Sequence, residues 1–157
     1  MVDYFLKIDT VPGESHDAHH PDEIPVTAFA WGETSAGVPE GGGGGAGKVQ
    51  MEAFHFAAVT SKASPKLMLL CANGKHVKSA ILVARRAGPA NQEYLKITFT
   101  DVMVSSYEVA GSSNEVPVDE VALTFAKVAI DYKPQNPNGS LGAVVHAGWD
   151  RLQSKEF

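Results

Sequence analysis

The sequence predicts a mainly β fold, an antiparallel β-barrel with one flanking α-helix and a long extended Gly-rich loop. Three observations carry this reading. Apolar and polar residues alternate with period 2 through most of the chain, a 3.6-residue period appears only once, and the long alternating runs are joined by short, turn-rich connections.

The first strand, Val2 to Asp9, sets Tyr4, Leu6 and Ile8 on one side and ends at the turn pair Pro12-Gly13. A polar loop from Glu14 to Glu23 leads to a second strand, Ile24 to Gly32. Both faces of that strand are largely apolar: Thr27, Phe29 and Trp31 oppose Ile24, Val26, Ala28 and Ala30. A solvated antiparallel strand would be apolar on one face only. The segment from Thr34 to Lys48 contains five consecutive glycines, which lose the most backbone freedom on ordering and pack nothing, so it reads as a long extended loop. The third strand runs from Lys48 to about Val59, with Val49, Met51 and Ala53 alternating against Gln50, Glu52 and Phe54.

The helix spans Ser64 to Ala72. Ser64 is its expected N-cap, Pro65 its first helical residue, and Asn73 with Gly74 its left-handed stop. Leu67, Leu70 and Cys71 share one face. Three long strands follow, His76 to Arg86, Glu93 to Glu108 and Asp119 to Tyr132, linked by the hairpin connections AGPANQ and AGSSNEVP. The last of these is again doubly apolar, with Val121, Leu123, Phe125 and Ala129 opposing Val118, Ala122, Ala126, Val128 and Ile130. The bulky Phe29, Trp31, Leu123 and Phe125 are therefore assigned to the barrel core. The small apolar face is left for the helix or for another subunit. From Lys133 the chain reads as a loop, with one last strand between Ala143 and Trp149.

The 157 residues suit a single domain, 1–157, and 18 acidic against 13 basic side chains give a net charge of −5. That charge argues against nucleic acid as a partner. No apolar run approaches the roughly 20 residues a bilayer span needs, so membrane insertion is not expected. The opening MVDYFLKIDT alternates where a cleavable leader would be continuously apolar. Cys71, the single cysteine, excludes an intrachain disulfide and a multi-thiolate metal site.

Several constellations hold residue types that can carry chemistry. Gly42 to Lys48 satisfies GxxxxGK, but Val49 stands where a phosphate-binding loop needs Ser or Thr, and KVQMEAFHF alternates as a strand where that motif needs a helix. His16, Asp17, His19 and His20, with Glu14, Asp22 and Glu23, crowd one loop with metal-ligand types; a solvated loop is the preferred reading. Cys71 with His55 or His76 is outweighed by the apolar setting of the cysteine. Asp119 and Glu120 are adjacent in a strand and so point to opposite faces. Arg85, Arg86 and Lys78 have Asp101, Glu108 and Glu115 as candidate ion-pair partners. No catalytic residue, metal site or cofactor is expected from these residues, and the chain is not read as an enzyme.

Taken in order, GESHDAHHPDEI (residues 13–24), AFAWG ending at Gly32, GGGGGAGKV up to Val49, SPKLMLLCANGKH (64–76), RRAG from Arg85, QEYLKITFTDVMVSSYEVAG from Gln92 and LTFAKVAIDYKPQ (123–135) resemble the Hcp family, the inner-tube proteins of bacterial type VI secretion systems. The residues after Gln135 match least. The resemblance implies a homohexameric ring with a central lumen, and rings stacked into a tube. A contractile sheath expels this tube behind a trimeric spike protein, VgrG, and effector proteins ride in the lumen. It implies assembly in the cytoplasm and export without a signal peptide. It also implies that Gly41, Gly42, Gly43, Gly44, Gly45, Ala46, Gly47 and Lys48 form the arm that contacts the next ring, and that Ala28 and Ala30 face the lumen. The alternative class is a monomeric or small-oligomer β-barrel module binding a ligand or a metal.

Overall fold

A computed structural model describes residues 1–35, 49–88 and 90–157 of the chain. Alternation builds β1 (Val2–Ile8), β2 (Ile24–Val26), β3 (Ala28–Ala30), β4 (Glu33–Ser35), β5 (Val49–Met51) and β6 (Phe54–Val59). Helix α1 (Ser64–Asn73) then separates these from β7 (Val77–Arg86), β8 (Gln92–Ser112), β9 (Glu115–Tyr132), β10 (Val145–Asp150) and β11 (Lys155–Glu156). The fold is mainly β, every strand pair is antiparallel, and α1 is the one helix among the described residues.

The expected barrel is not closed. The main ladder runs β11-β10-β9-β8-β7-β1-β2, with β6 branching from β9 and β3 pairing with β6. The break is at Thr27. The single strand expected from Ile24 to Gly32 is two strands, because β2 pairs with β1 while β3 pairs with β6. At the bend both the Thr27 N–H and its hydroxyl donate to the Ala57 carbonyl, at 2.9 and 3.0 Å. The bend also shifts the inward phase: Ile24 and Val26 are buried, and the next inward side chain is Phe29, three positions on. Ile24 and Val26 therefore do not share the outer face of Ala28 and Ala30, as strict alternation had them. The expected third strand is likewise divided into β5 and β6; β5 pairs with β4 as a separate two-stranded ribbon.

A second phase shift coils the long β8–β9 hairpin. Inward residues are Phe99 then Val102 on β8, and Phe125 then Val128 on β9, each three apart. Asp101 lies at the shift with φ 55°, a left-handed backbone that aspartate tolerates better than most residues. At this point the free edge of β9 changes partner, from β6 along residues 118–123 to β10 along 127–132.

Helix α1 begins one residue earlier than its side chains suggested. Its cap residue is Ala63, which makes no side-chain capping bond, and Pro65 is the second helical residue. Ser64 is inside the first turn, its hydroxyl committed elsewhere. Gly74 ends the helix at φ 67°, donating its N–H to the Leu70 carbonyl, the left-handed stop that glycine adopts without strain. Leu67 and Leu70 are buried against the sheet, and Cys71 is half-buried beside them.

Candidate functional site

Two rungs cross β3, β6, β9 and β8 on the outer face of the sheet. One runs Ala28, Ala57, Glu120, Glu108, and the next runs Ala30, His55, Ala122, Ser106. Period-2 alternation puts all eight on one face, because their neighbours Phe29, Phe54, Phe56 and Val121 turn inward. The eight line an open depression of about 440 Å³. Its floor is small and smooth, with no apolar side chain larger than alanine among these rungs. Across it, Glu108 and Glu120 are direct cross-strand neighbours, an unfavourable like-charge pair. No cation among the described residues pairs with either.

The wall beneath is packed by aromatics. Phe29 meets Tyr4 edge-on at 5.1 Å and Phe54 at 6.0 Å between ring centroids; Trp31 meets Phe99 and Phe125 at 6.4 and 6.1 Å. The Trp31 indole N–H donates to the Glu52 carbonyl at 3.0 Å. Leu123 and Phe125 are buried, while Phe29 and Trp31 are half-buried at the margin of the cluster. Gly41–Lys48, expected to form the arm, lie outside the described residues.

Directly behind Glu120, Asp119 points into the fold. Its carboxylate accepts hydrogen bonds from the Thr60 hydroxyl at 2.9 Å, the Tyr107 hydroxyl at 3.0 Å, and the Ser64 hydroxyl. Burial, and then the bond to Asp119, push the Tyr107 hydroxyl above the usual phenol range, so it remains a donor. Ser64 in turn accepts from the Ser61 N–H at 2.9 Å. These bonds pin the start of α1 to β8 and β9.

The polar loop before β2 is tied down by side-chain pairs to β7 and β8. Among the described residues no group of His, Cys, Asp and Glu is placed to hold a metal ion. His20 is instead buried between Glu23 and Glu93, and Asp17 takes both guanidinium nitrogens of Arg85 at 2.9 and 2.7 Å. Arg85 also reaches Asp3 at 3.2 Å, so its partners are not Asp101, Glu108 or Glu115. The hydrogen bonds from Arg85, and then the His19 N–H, hold the Asp17 carboxyl far below the usual carboxylate range. Arg86 donates to Gln135, and Asp101 is taken by His76 at 2.8 Å. Tyr107 lies 12 positions from Asp119, Glu93 73 from His20, and Asp17 and Asp3 68 and 82 from Arg85, separations that local pattern does not reveal.

No helix among the described residues is long and apolar enough to cross a membrane. Residues 5–132 match the family model described as "Type VI secretion system effector, Hcp". The chain is 45% identical to protein hcp1 of Pseudomonas aeruginosa, over 98% of this chain and 97% of that one. Its fold superposes on the crystal structure of Hcp1 from Salmonella typhimurium with a TM-score of 0.83 and 35% identity, covering 99% of each chain. A structure described as a type six secretion system protein matches with a TM-score of 0.93 and 28% identity over the whole of both chains. With a family model spanning β1 to the end of β9 and a close relative spanning nearly all of it, the chain belongs to the Hcp family of type VI secretion proteins.

Proposed function

We propose that this chain is the structural subunit of a type VI inner tube: six copies form a ring, rings stack, and effector proteins travel in the lumen. Its partners are then further copies of itself, the contractile sheath, the spike protein VgrG and the cargo; its role is structural rather than enzymatic. The observation that carries the reading is the contrast between its surfaces. The face of Ala28, Ala30, Ala57 and Ala122 is smooth and open, as a wall that must release cargo requires, while larger apolar side chains stand exposed elsewhere. Met68 and Leu69 on α1 are 50% and 56% exposed, and Val109 and Val116 near the β8–β9 turn are 51% and 63% exposed. Apolar side chains left uncovered in one copy are suited to contacts between copies. Residues Gly41–Lys48 are assigned to the contact with the next ring, and Ala28 and Ala30 to the lumen.

Negative-stain imaging with mass measurement tests this. Six copies of a 16.7 kDa chain give a particle of about 100 kDa with six-fold rings. A 16.7 kDa monomer at micromolar concentration would overturn the reading and favour a small β-sheet binding module. In the same micrographs, deletion of Gly42–Gly45 is expected to leave single rings and remove stacks; undiminished stacking would show that the arm assignment fails.

A further inference from the structure

The loop between β1 and β2 carries a buried histidine with a carboxylate at each ring nitrogen. The His20 ring is 6% exposed, with Nδ1 at 2.9 Å from Glu23 Oε2 and Nε2 at 2.6 Å from Glu93 Oε1. A neutral imidazole has one N–H and one lone pair, so it donates to one carboxylate and turns a lone pair to the other; imidazolium donates to both. Glu23 belongs to the loop itself, whereas Glu93 is on β8, so one ring bridges the loop to the sheet. The ring also stacks on Phe5 of β1, with centroids 4.4 Å apart and planes 10° from parallel.

The surroundings show what else fixes the loop. From β7, the Arg85 guanidinium carbon lies 4.9 Å from the Phe5 ring centroid and its nitrogens hold Asp17 of the loop and Asp3 of β1. Within the loop, Gly13 N–H donates to Asp22, Ser15 N–H to Glu23, Asp22 N–H to Ser15 and His20 N–H to Asp17. Gly13 permits the closest of these approaches, since a Cβ there would stand 2.4 Å from the Glu23 carbonyl oxygen. The loop thus has two fastenings to the sheet. The Asp17–Arg85 pair involves a carboxyl held far below its usual range, so it stays charged, and its contribution constant, across the whole range in which an imidazole titrates. The His20–Glu93 bridge loses one N–H when the ring loses its second proton.

We propose that His20 is a proton-operated pin that fastens the loop of residues 12–23 to β8: the imidazolium holds Glu23 and Glu93 together, and as the pH rises the single N–H that remains is shared between them, so the bond to Glu93 opens more often. The imidazolium has two N–H groups to donate and the neutral ring one, so the fastening is complete at the lower pH and weakens as the proton leaves. The pin lies within one chain and operates in a monomer as in a ring.

The test uses the ¹⁵N-labelled full chain from about pH 5 to about pH 9, the range that brackets imidazole titration. Ring ¹⁵N signals report the protonation of both nitrogens of His20, and amide exchange at Ser15, His20 and Asp22, corrected for intrinsic rates, reports the loop. The expected result is that protection of these amides falls roughly tenfold as the ring deprotonates, the equilibrium equivalent of losing one charge-assisted hydrogen bond. Glu93→Gln should lower protection at the acid end and flatten its pH dependence; Asp17→Asn should lower protection but leave the pH dependence intact. His20→Gln should abolish that dependence. A His20 ring that is neutral at the acid end, or protection that is unchanged while the ring deprotonates, overturns the proposal. Should His20→Gln not fold, Glu93→Gln, on a half-exposed carboxylate, decides the question alone.

Discussion

Asp119 and Glu120 are consecutive carboxylates on β9 that face opposite sides of the sheet. Asp119 is 2% exposed and its two oxygens are spent on three hydroxyl donors from β8, α1 and the turn after β6. Glu120 is exposed beside Glu108, and its carboxylate makes no ion pair among the described residues. A one-residue step along a strand separates a charge that the fold uses from a charge that the fold tolerates. Charges of the first kind are tied down because an unpaired buried carboxylate is costly. Those of the second kind persist because water screens them, and they remain free to act on whatever occupies the groove.

Breaking the inner side of this comparison gives the largest expected effect. Asp119→Ala leaves Thr60, Ser64 and Tyr107 without their acceptor and should lower stability in urea unfolding by about 3 kcal/mol or more. Ser64→Ala removes one of the three donors and the acceptor for the Ser61 N–H, so a smaller loss of about 1–2 kcal/mol is expected. Equal losses from the two variants would show that the hydroxyls of Thr60 and Tyr107 contribute nothing to holding Asp119.

The opposition of Asp119 and Glu120 was legible from sequence because it needs only the period of a strand, and so were the helix stop at Gly74 and the mainly β class. The hub around Asp119 was not. Ser64 has the position of an N-cap, and its actual partner lies 55 residues away on β9. Strict alternation also failed where backbone geometry intervened: at Thr27, where the chain changes partner strand, and at Asp101, where a positive φ shifts the inward phase of two strands together. His20 looked like one of several loop histidines, since its burial depends on Phe5 and Glu93, which the sequence does not place beside it. The assignment of Ala28 and Ala30 to a lumen came from family resemblance; the geometry adds that they are exposed and share rungs with Ala57, Ala122 and the glutamate pair.

On the outer side, Ala30→Arg sharpens the comparison by changing the groove without entering the core. Ala30 is exposed on β3, so stability should stay within about 0.5 kcal/mol of the parent chain. Under the tube reading, ring formation should persist while the amount of effector that copurifies with the rings falls severalfold. Unchanged effector levels on intact rings would remove Ala30 from the lumen wall.

The smallest effect is the most specific to the Glu108–Glu120 rung. Glu120→Gln keeps the shape of the side chain and removes one of two like charges that face each other across β8 and β9. If nothing but water meets them, the variant should be more stable than the parent by about 0.2–1 kcal/mol, the scale of a cross-strand pair. Glu108→Gln should show the same gain, and the double variant should gain less than the sum, because the repulsion can be removed only once. The gain should also shrink with added salt, since both groups are exposed and screened. A loss of stability in rings but not in monomers would mean that a cation from a neighbouring copy meets the rung, which would move Glu120 from the tolerated class into the used one.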